Sequence, residues 1–398
     1  AAVYGLTRNW QLAWRLPPFA AAVVIGILLT RAARDAYGTA AALLGFSAFA
    51  LNVFTLRIAT LVRTDMPLAL VIFLLGLQIW WKIRSAEPWT LRDRLIAFAL
   101  LTAGTLIKGP IVYGFLLPGI IAFEFFRRKR PSLTSAWCGW RPWLASLAIF
   151  LLWTAGGIAY VPNFYEETVL KEFLGRFSET VHRPQPIYFY LPHLLHKFAP
   201  WSLLVIGVGI AQRRTRMSAE SCWLLCAAAG GLVLMSLIPS KRLDRIFPII
   251  PPLCLWIAAM YNARPARLWA KLTLVGAALF CIGYTALRVY TNVKEDDAGL
   301  MRFAAAVQRE TAQHGWRYDV VDGTAEGLIL YLRRSHFTAP QTAIEHWKRG
   351  ETDAVVISLG KASLVKPEYF AGGVPTGIEG SILMSRHEVR YALLKRAP

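Results

Sequence analysis

The chain has 398 residues, 56% of them hydrophobic and only 17% charged, yet its formal charge is +20. Soluble domains carry roughly 25% charged and 45–50% apolar residues, and disordered chains lack apolar residues. A basic nucleic-acid binder does not reach a mean hydropathy of +0.42 with 15 Trp and 21 Phe. The composition is that of a membrane protein, and the charge needs its own explanation.

A spanning helix needs roughly 20 mostly apolar residues. In chain order, apolar runs centre on Phe19–Leu29, Thr39–Val53, Pro67–Trp81, Leu95–Ile107, Ile111–Phe126, Leu144–Val161, Trp201–Ile210, Cys222–Ile238, Phe247–Met260 and Leu272–Tyr284. These predict nine or ten spans, with Pro67 marking a re-entrant or kinked one. Trp and Tyr at their ends (Trp80, Trp81, Trp143, Trp201, Trp269, Tyr290) match an interfacial belt. Four of the five Cys lie in apolar runs and none forms a Cys-x-x-Cys pair, so inert thiols are expected.

Beyond residue 294 the composition changes. Glu295 to Pro398 hold thirteen basic and thirteen acidic residues, so the whole excess charge lies in Ala1 to Lys294. The predicted domains are therefore a membrane domain, 1–294, and a soluble α/β domain, 295–398. In the latter, Met301–His314 reads as a helix with Phe303, Ala304 and Val307 on one side. Tyr318–Val321 reads as a strand, Glu326–Arg334 as a helix, Ala354–Ser358 as a strand, and Ser381–Ser385 with Val389–Leu394 as a closing hairpin. Asp319, Asp322 and His336 lack the spacing of a second active site.

The basic runs Arg31–Arg34, Lys82–Arg84, Arg127–Arg130, Arg213–Arg216 and Arg264–Lys271 place one set of loops in the cytoplasm. The other set, before Glu295, still holds fourteen basic and six acidic residues. Orientation does not require that excess, so an anion is expected on the outer face. Four clusters face that side. They are Arg63-Thr64-Asp65-Met66-Pro67; Lys108-Gly109-Pro110; Glu172 to Phe177 with His182-Arg183-Pro184; and Lys241-Arg242-Leu243-Asp244-Arg245. Each has a plain alternative. Asp65 could favour a helix N-terminus, Lys108 could snorkel to the interface, and Arg176 and Arg183 could meet lipid headgroups. His193 and His196 suit an amphipathic interfacial helix better than a metal. Together, Lys and Arg from three loops and an acid from a fourth suit a phosphate held beside a hydroxyl.

Several strings occur in a fixed order: Leu106-Ile107-Lys108-Gly109-Pro110, Leu174-Gly175-Arg176-Phe177, His182-Arg183-Pro184, Tyr188 to Tyr190, Leu191-Pro192, Pro200-Trp201-Ser202 and Pro239-Ser240-Lys241-Arg242. In them, roughly residues 1–290 resemble the bacterial lipid-linked-sugar glycosyltransferases related to protein O-mannosyltransferases, the family of the 4-amino-4-deoxy-L-arabinose transferase of lipid A. The resemblance implies an α-helical multi-pass membrane protein of the glycosyltransferase C superfamily fold, with a small C-terminal soluble α/β domain. It implies transfer of a hexose or pentose from a polyprenyl-phosphate (undecaprenyl-phosphate) donor to lipid A, another glycolipid or a protein, with inversion. The active site and the C-terminal domain would be periplasmic, in a monomer of the bacterial inner membrane that binds no nucleic acid. Asp65 matches the acid of the second outer loop and is the catalytic candidate. Lys108, Arg176 and Lys241, with Arg183 and Arg242 beside them, are expected at the donor phosphate.

Two departures qualify the match. The family's main catalytic carboxylate sits in a loop after a first span, and the present sequence opens beyond it, so this stretch is expected to lack that group. Where relatives carry a His associated with a metal, Glu172 stands nearby as a possible divalent-ion ligand. In addition, Leu243-Asp244-Arg245 replaces a commoner Pro-Thr-Tyr. A transporter of an anionic lipid is the alternative class. It would want internal repeats and charges at mid-span, and the sequence shows neither.

Overall fold

Backbone groups in hydrocarbon must satisfy one another, so apolar runs bounded by Pro, Gly and basic residues fold as helices. The computed structural model describes residues 10–128, 133–161, 164–173, 185–212, 217–239, 241–263, 267–295, 298–321, 326–334, 336–360, 365–384 and 387–397. The chain divides into two compact units, Ala1–Ile282 and Gly283–Pro398.

The first unit is helical. Its elements are α1 (Trp10–Tyr37), α2 (Thr39–Ala50), α3 (Val53–Thr60), α4 (Asp65–Ser85), α5 (Leu91–Lys108), α6 (Ile111–Arg127), α7 (Trp140–Tyr160), a π-helical turn (Tyr165–Phe173), α8 (Tyr190–Lys197), α9 (Trp201–Gln212), α10 (Ala219–Leu237), a 3-10 segment (Leu243–Ile249), α11 (Ile250–Ala263) and α12 (Arg267–Glu295). The last of these runs on past the division between the units. Nine of the ten expected runs match, to within a residue, one helix or a 3-10 segment leading into one, and the run Thr39–Val53 is broken at Leu51-Asn52. By length and composition, however, six helices among the described residues can cross a membrane, or up to eight if each of two bent pairs is one span. The difference has local causes. Helix α5 carries Arg92, Asp93, Arg94 and Lys108 in its 18 residues, and α6 is 17 residues long.

The expected kink at Pro67 is corrected. Helix α4 is continuous, because Pro67 lies in its first turn, where a missing N–H leaves no helical bond unmade. The breaks lie elsewhere. α2 and α3 meet at 60° and α8 and α9 at 110°. At the first break Asn52 is fully buried. Its amide donates to the carbonyls of Ala48 (2.7 Å) and Phe49 (2.8 Å), and its oxygen accepts from the Thr55 N–H at 2.8 Å. One side chain thereby closes the end of α2 and caps α3. The buried Trp201 indole at the start of α9 donates to the Leu51 carbonyl at 2.7 Å, so the two breaks support each other. Deeper in the unit, the fully buried Trp223 of α10 donates to the Gly76 carbonyl of α4 at 2.9 Å. α10 also packs closely along α6.

The second unit begins within α12 and continues with α13 (Ala298–His314), β1 (Tyr318–Val320), α14 (Glu326–Leu332), α15 (Pro340–Arg349), β2 (Ala354–Ser358), β3 (Gly373–Met384) and β4 (His387–Arg396). The strand order is β1-β2-β4-β3, with β1 parallel to β2 and the other pairs antiparallel. One face of the sheet buries Val320, Val356, Tyr391 and Leu393 against Phe303, Ala304 and Val307 of α13, the face expected for that helix. The other buries Val355, Ile357 and Leu394 against Ala343 and Trp347 of α15. That alternation follows from the two-residue period of a strand. The hairpin is longer than expected, and α15 is an addition to the sequence reading.

Arg317, just before β1, donates to Asp353, just before β2, from its backbone N–H (2.9 Å) and its Nε (3.3 Å). The backbone N–H, then the guanidinium, hold the Asp353 carboxyl below the usual carboxylate range. A carboxyl lowered in the folded state contributes stability above its unfolded pKa and loses it as pH falls through the folded value. Asp353→Asn is therefore expected to flatten the stability of this unit below roughly pH 4. Pulsed hydrogen exchange of β1 and β2 peptides, corrected for intrinsic rate, measures it. An unchanged acid profile would refute the link.

Candidate active site

Helices α4 and α5 are antiparallel neighbours, held at their other end by Lys82 Nζ to Asp93 Oδ2 at 2.8 Å. This puts the first residue of α4 beside the last of α5. Asp65 stands at the positive N-terminus of one helix and Lys108 at the negative C-terminus of the other, each the sign its helix end favours. They form a salt bridge, Lys108 Nζ to Asp65 Oδ1, with side chains 15% and 5% exposed. Lys108 is therefore no free interfacial anchor. Gly109 closes α5 with φ of 74°, donating to the Thr105 carbonyl at 2.7 Å. Glycine suits this left-handed turn, and Pro110 then starts α6.

A second ion pair joins a distant loop to this helix end. Arg63, two residues before Asp65, pairs through Nη1 with Asp244 Oδ2, and Arg242 Nη2 lies 3.6 Å from the same oxygen. Asp244 is buried, with its side chain 10% exposed. The loop is also fixed through its backbone. Tyr190 of α8, fully buried, donates its hydroxyl to the Arg242 carbonyl at 3.3 Å. The Gln185 N–H donates to the Pro239 carbonyl at 3.3 Å.

Lys241 sits in this loop, 8% exposed. Its Nζ donates to the Gln185 carbonyl at 2.9 Å, and among the described residues no carboxylate pairs with it. Burial pushes its ammonium below the usual lysine range. A desolvated cation of this kind favours an incoming anion, because the anion supplies the charge that water no longer screens.

The structure thus gathers Asp65, Lys108, Lys241 and Arg242 of the predicted site at one end of the first unit. Arg176 and Arg183 lie outside the described residues. Glu172 belongs to the π-helical turn, and its side chain also lies outside the described set. Among the described residues, no group of three His, Cys, Asp or Glu could hold a metal ion. His193 bonds the carbonyl of Phe189, the residue just before α8, at 2.7 Å and packs on the Phe189 ring. In the second unit Asp319 is engaged by His346 Nδ1 at 2.9 Å and by Thr338 at 3.2 Å, and Asp322 lies outside the described residues. Arg63, Asp244 and Tyr190 are additions of the structure as site-building residues. Tyr190 and Trp201, which carried part of the sequence resemblance, act here by packing and hydrogen bonding. An apolar groove of about 540 Å³, lined by Phe19, Val23, Ile27, Phe46, Phe49 and Leu56 among others, lies between α1, α2 and α3; none of the ion-paired residues lines it.

A multi-pass helical unit with a charged rim built from loops, together with a separate small α/β unit, defines the class: by helix length and composition a polytopic membrane protein, in a fold shared with a solved structure. The resemblance to the 4-amino-4-deoxy-L-arabinose transferases is borne out at two levels. In structure, the chain is similar to ArnT from Cupriavidus metallidurans bound to undecaprenyl phosphate. The TM-score is 0.67 at 17% identity, over 98% of this chain and 85% of that one. Against the apo state of the same protein the TM-score is 0.58 at 16% identity, over 95% and 83%. In sequence, it is 26% identical over 186 residues to the undecaprenyl phosphate-alpha-4-amino-4-deoxy-L-arabinose arabinosyl transferase 2 of Pseudomonas fluorescens, covering 44% of this chain and 32% of that protein. It is 27% identical over 226 residues to the corresponding transferase of Pseudomonas savastanoi pv. phaseolicola, covering 54% and 41%. The chain thus matches about a third to two fifths of the length of these relatives. No family model matches the chain.

Proposed function

We propose that the protein is an inner-membrane glycosyltransferase that moves a sugar from an undecaprenyl-phosphate donor to an acceptor outside the cytoplasm, lipid A being the first candidate. The observation that carries this is Lys241, a buried ammonium with no carboxylate partner among the described residues, on a loop tied to the helix end where Asp65 meets Lys108. Breaking the bond from sugar to phosphate leaves growing negative charge on the lipid phosphate. Fixed cations aimed at that charge are a large catalytic term. Lys241 and Arg242 take the phosphate, a role that the sequence resemblance also implies for Arg176 and Arg183. Lys108, held by Asp65, supplies further positive charge, and Asp65 offers its remaining oxygen to the acceptor hydroxyl. The sugar centre is displaced once, with inversion. The neighbour bound to undecaprenyl phosphate and the named arabinosyl transferases support this assignment over a transporter. The basic runs Lys82–Arg84 and Arg127–Arg130 then face the cytoplasm, and the site and the second unit face the periplasm.

The test uses the full-length protein in detergent or nanodiscs. Lys241→Met is expected to weaken undecaprenyl phosphate binding by about tenfold or more, equivalent to ~1.4 kcal/mol. The sign of its effect on the unliganded protein is opposite. A lysine whose folded pKa is lowered binds its proton less readily than in the unfolded chain, so the ammonium opposes folding below that pKa. The same variant is expected to unfold at an equal or higher temperature without ligand. Unchanged affinity, or no transfer by the wild type from any undecaprenyl-phosphate sugar, would remove this assignment.

A further inference from the structure

We propose that Asp244 is a positioning residue that sets both the direction and the net charge of the cations in the loop 241–245; this rests on the transferase function above. Lys241, Arg242 and Arg245 are three cations within five residues, and Asp244 is the one acid among them. Its buried carboxylate holds Arg63 and draws Arg242 to 3.6 Å. Without it, Arg63 and Arg242 would face each other as like charges beside Lys241.

The carboxylate is not what folds the loop. The bonds from Tyr190 to the Arg242 carbonyl, from Lys241 to the Gln185 carbonyl and from Gln185 to the Pro239 carbonyl hold the backbone independently. Asp244 instead governs where the guanidinium groups point and how much positive charge the loop presents. Neutralising it has two effects of opposite sign. The loop gains one unit of net positive charge, which favours an anion. Arg63 and Arg242 lose their common anchor, which loosens the geometry on which turnover depends.

That opposition distinguishes positioning from simple structural support. In the full-length protein, Asp244→Asn is expected to keep or tighten undecaprenyl phosphate binding while kcat falls about tenfold to a hundredfold. Asp244→Glu, which keeps the charge, is expected to recover part of kcat. Arg63→Gln is expected to lower kcat without tightening the lipid phosphate. An unchanged kcat in Asp244→Asn would overturn the inference. So would a parallel fall of kcat, affinity and melting temperature, which marks a structural role. If the wild type neither binds undecaprenyl phosphate nor transfers from it, the transferase function fails first and this inference fails with it. A competent wild type with an indifferent Asp244→Asn overturns the positioning role alone.

Discussion

Replacing Lys108 by methionine is expected to reduce transfer to about a hundredth of the wild type or less, and to destabilise the first unit. The ammonium and the Asp65 carboxylate are 15% and 5% exposed and satisfy each other. Removing the ammonium leaves the Asp65 carboxylate buried without the cation that offsets it, which costs about 3–5 kcal/mol. Asp65→Asn should act in the same direction. The double variant Lys108→Met/Asp65→Leu separates the two roles, because replacing both members of a buried pair by apolar groups is often neutral or stabilising. Its melting temperature should return towards the wild type while transfer stays lost. Thermal unfolding in detergent and a transfer assay measure the two. Full activity in the double variant would show the pair to be structural, and full stability in both single variants would show that it is not a coupled pair.

Substituting Gly230 is the second large effect. An added Cβ there would collide with the Gly119 nitrogen and stand 2.8 Å from the Gly119 Cα and 2.9 Å from the Pro118 carbonyl carbon. All three are backbone atoms of α6, so no side chain can move aside. Small residues let two helices approach this closely in a membrane, where packing replaces the hydrophobic effect as the driving force. Gly230→Ala must separate α6 from α10 at a cost of about 1–3 kcal/mol, and Gly230→Leu is expected to yield little folded protein. Gly207→Ala is the control, since its Cβ would meet nothing within 4 Å. Melting temperature and the monodisperse fraction on size exclusion are the readouts. Equal behaviour of Gly230→Ala and Gly207→Ala would show that the close approach does not matter.

What was legible in the sequence was local. Apolar runs such as Leu144–Val161 and Phe247–Met260 declare themselves as helices because twenty residues of hydrocarbon leave the backbone no other arrangement. Strand Ala354–Ser358 was readable as a short apolar run, and the face of the helix at Met301–His314 from its period. Pro67 was misjudged because proline breaks a helix in its interior and not in its first turn. The true break at Asn52 did carry a signal, a lone amide between two apolar runs. The missed helix Pro340–Arg349 did too, with proline in its first turn and Ala343 and Trp347 four apart.

The candidate site was legible as a list and not as an arrangement. Asp65, Lys108, Lys241 and Arg242 could be named from residue type and from their places beside apolar runs. Their partners could not be. Asp65 and Lys108 are 43 residues apart, and Arg63 and Asp244 are 181 apart. No pattern of spacing links residues at such separations; only the packing of α4 against α5 and against the 3-10 segment does. The sequence by itself determined that the chain lives in a membrane, where its helices begin, and that its positive charge lies before residue 295, because hydropathy and charge are sums over neighbours. Tertiary structure alone decided which charges pair and which is buried without a carboxylate among the described residues. Lys108 is held by Asp65, Arg63 and Arg242 share Asp244, and Lys241 is buried against the Gln185 carbonyl with no carboxylate partner among the described residues, because burial and pairing are properties of residues that meet in space.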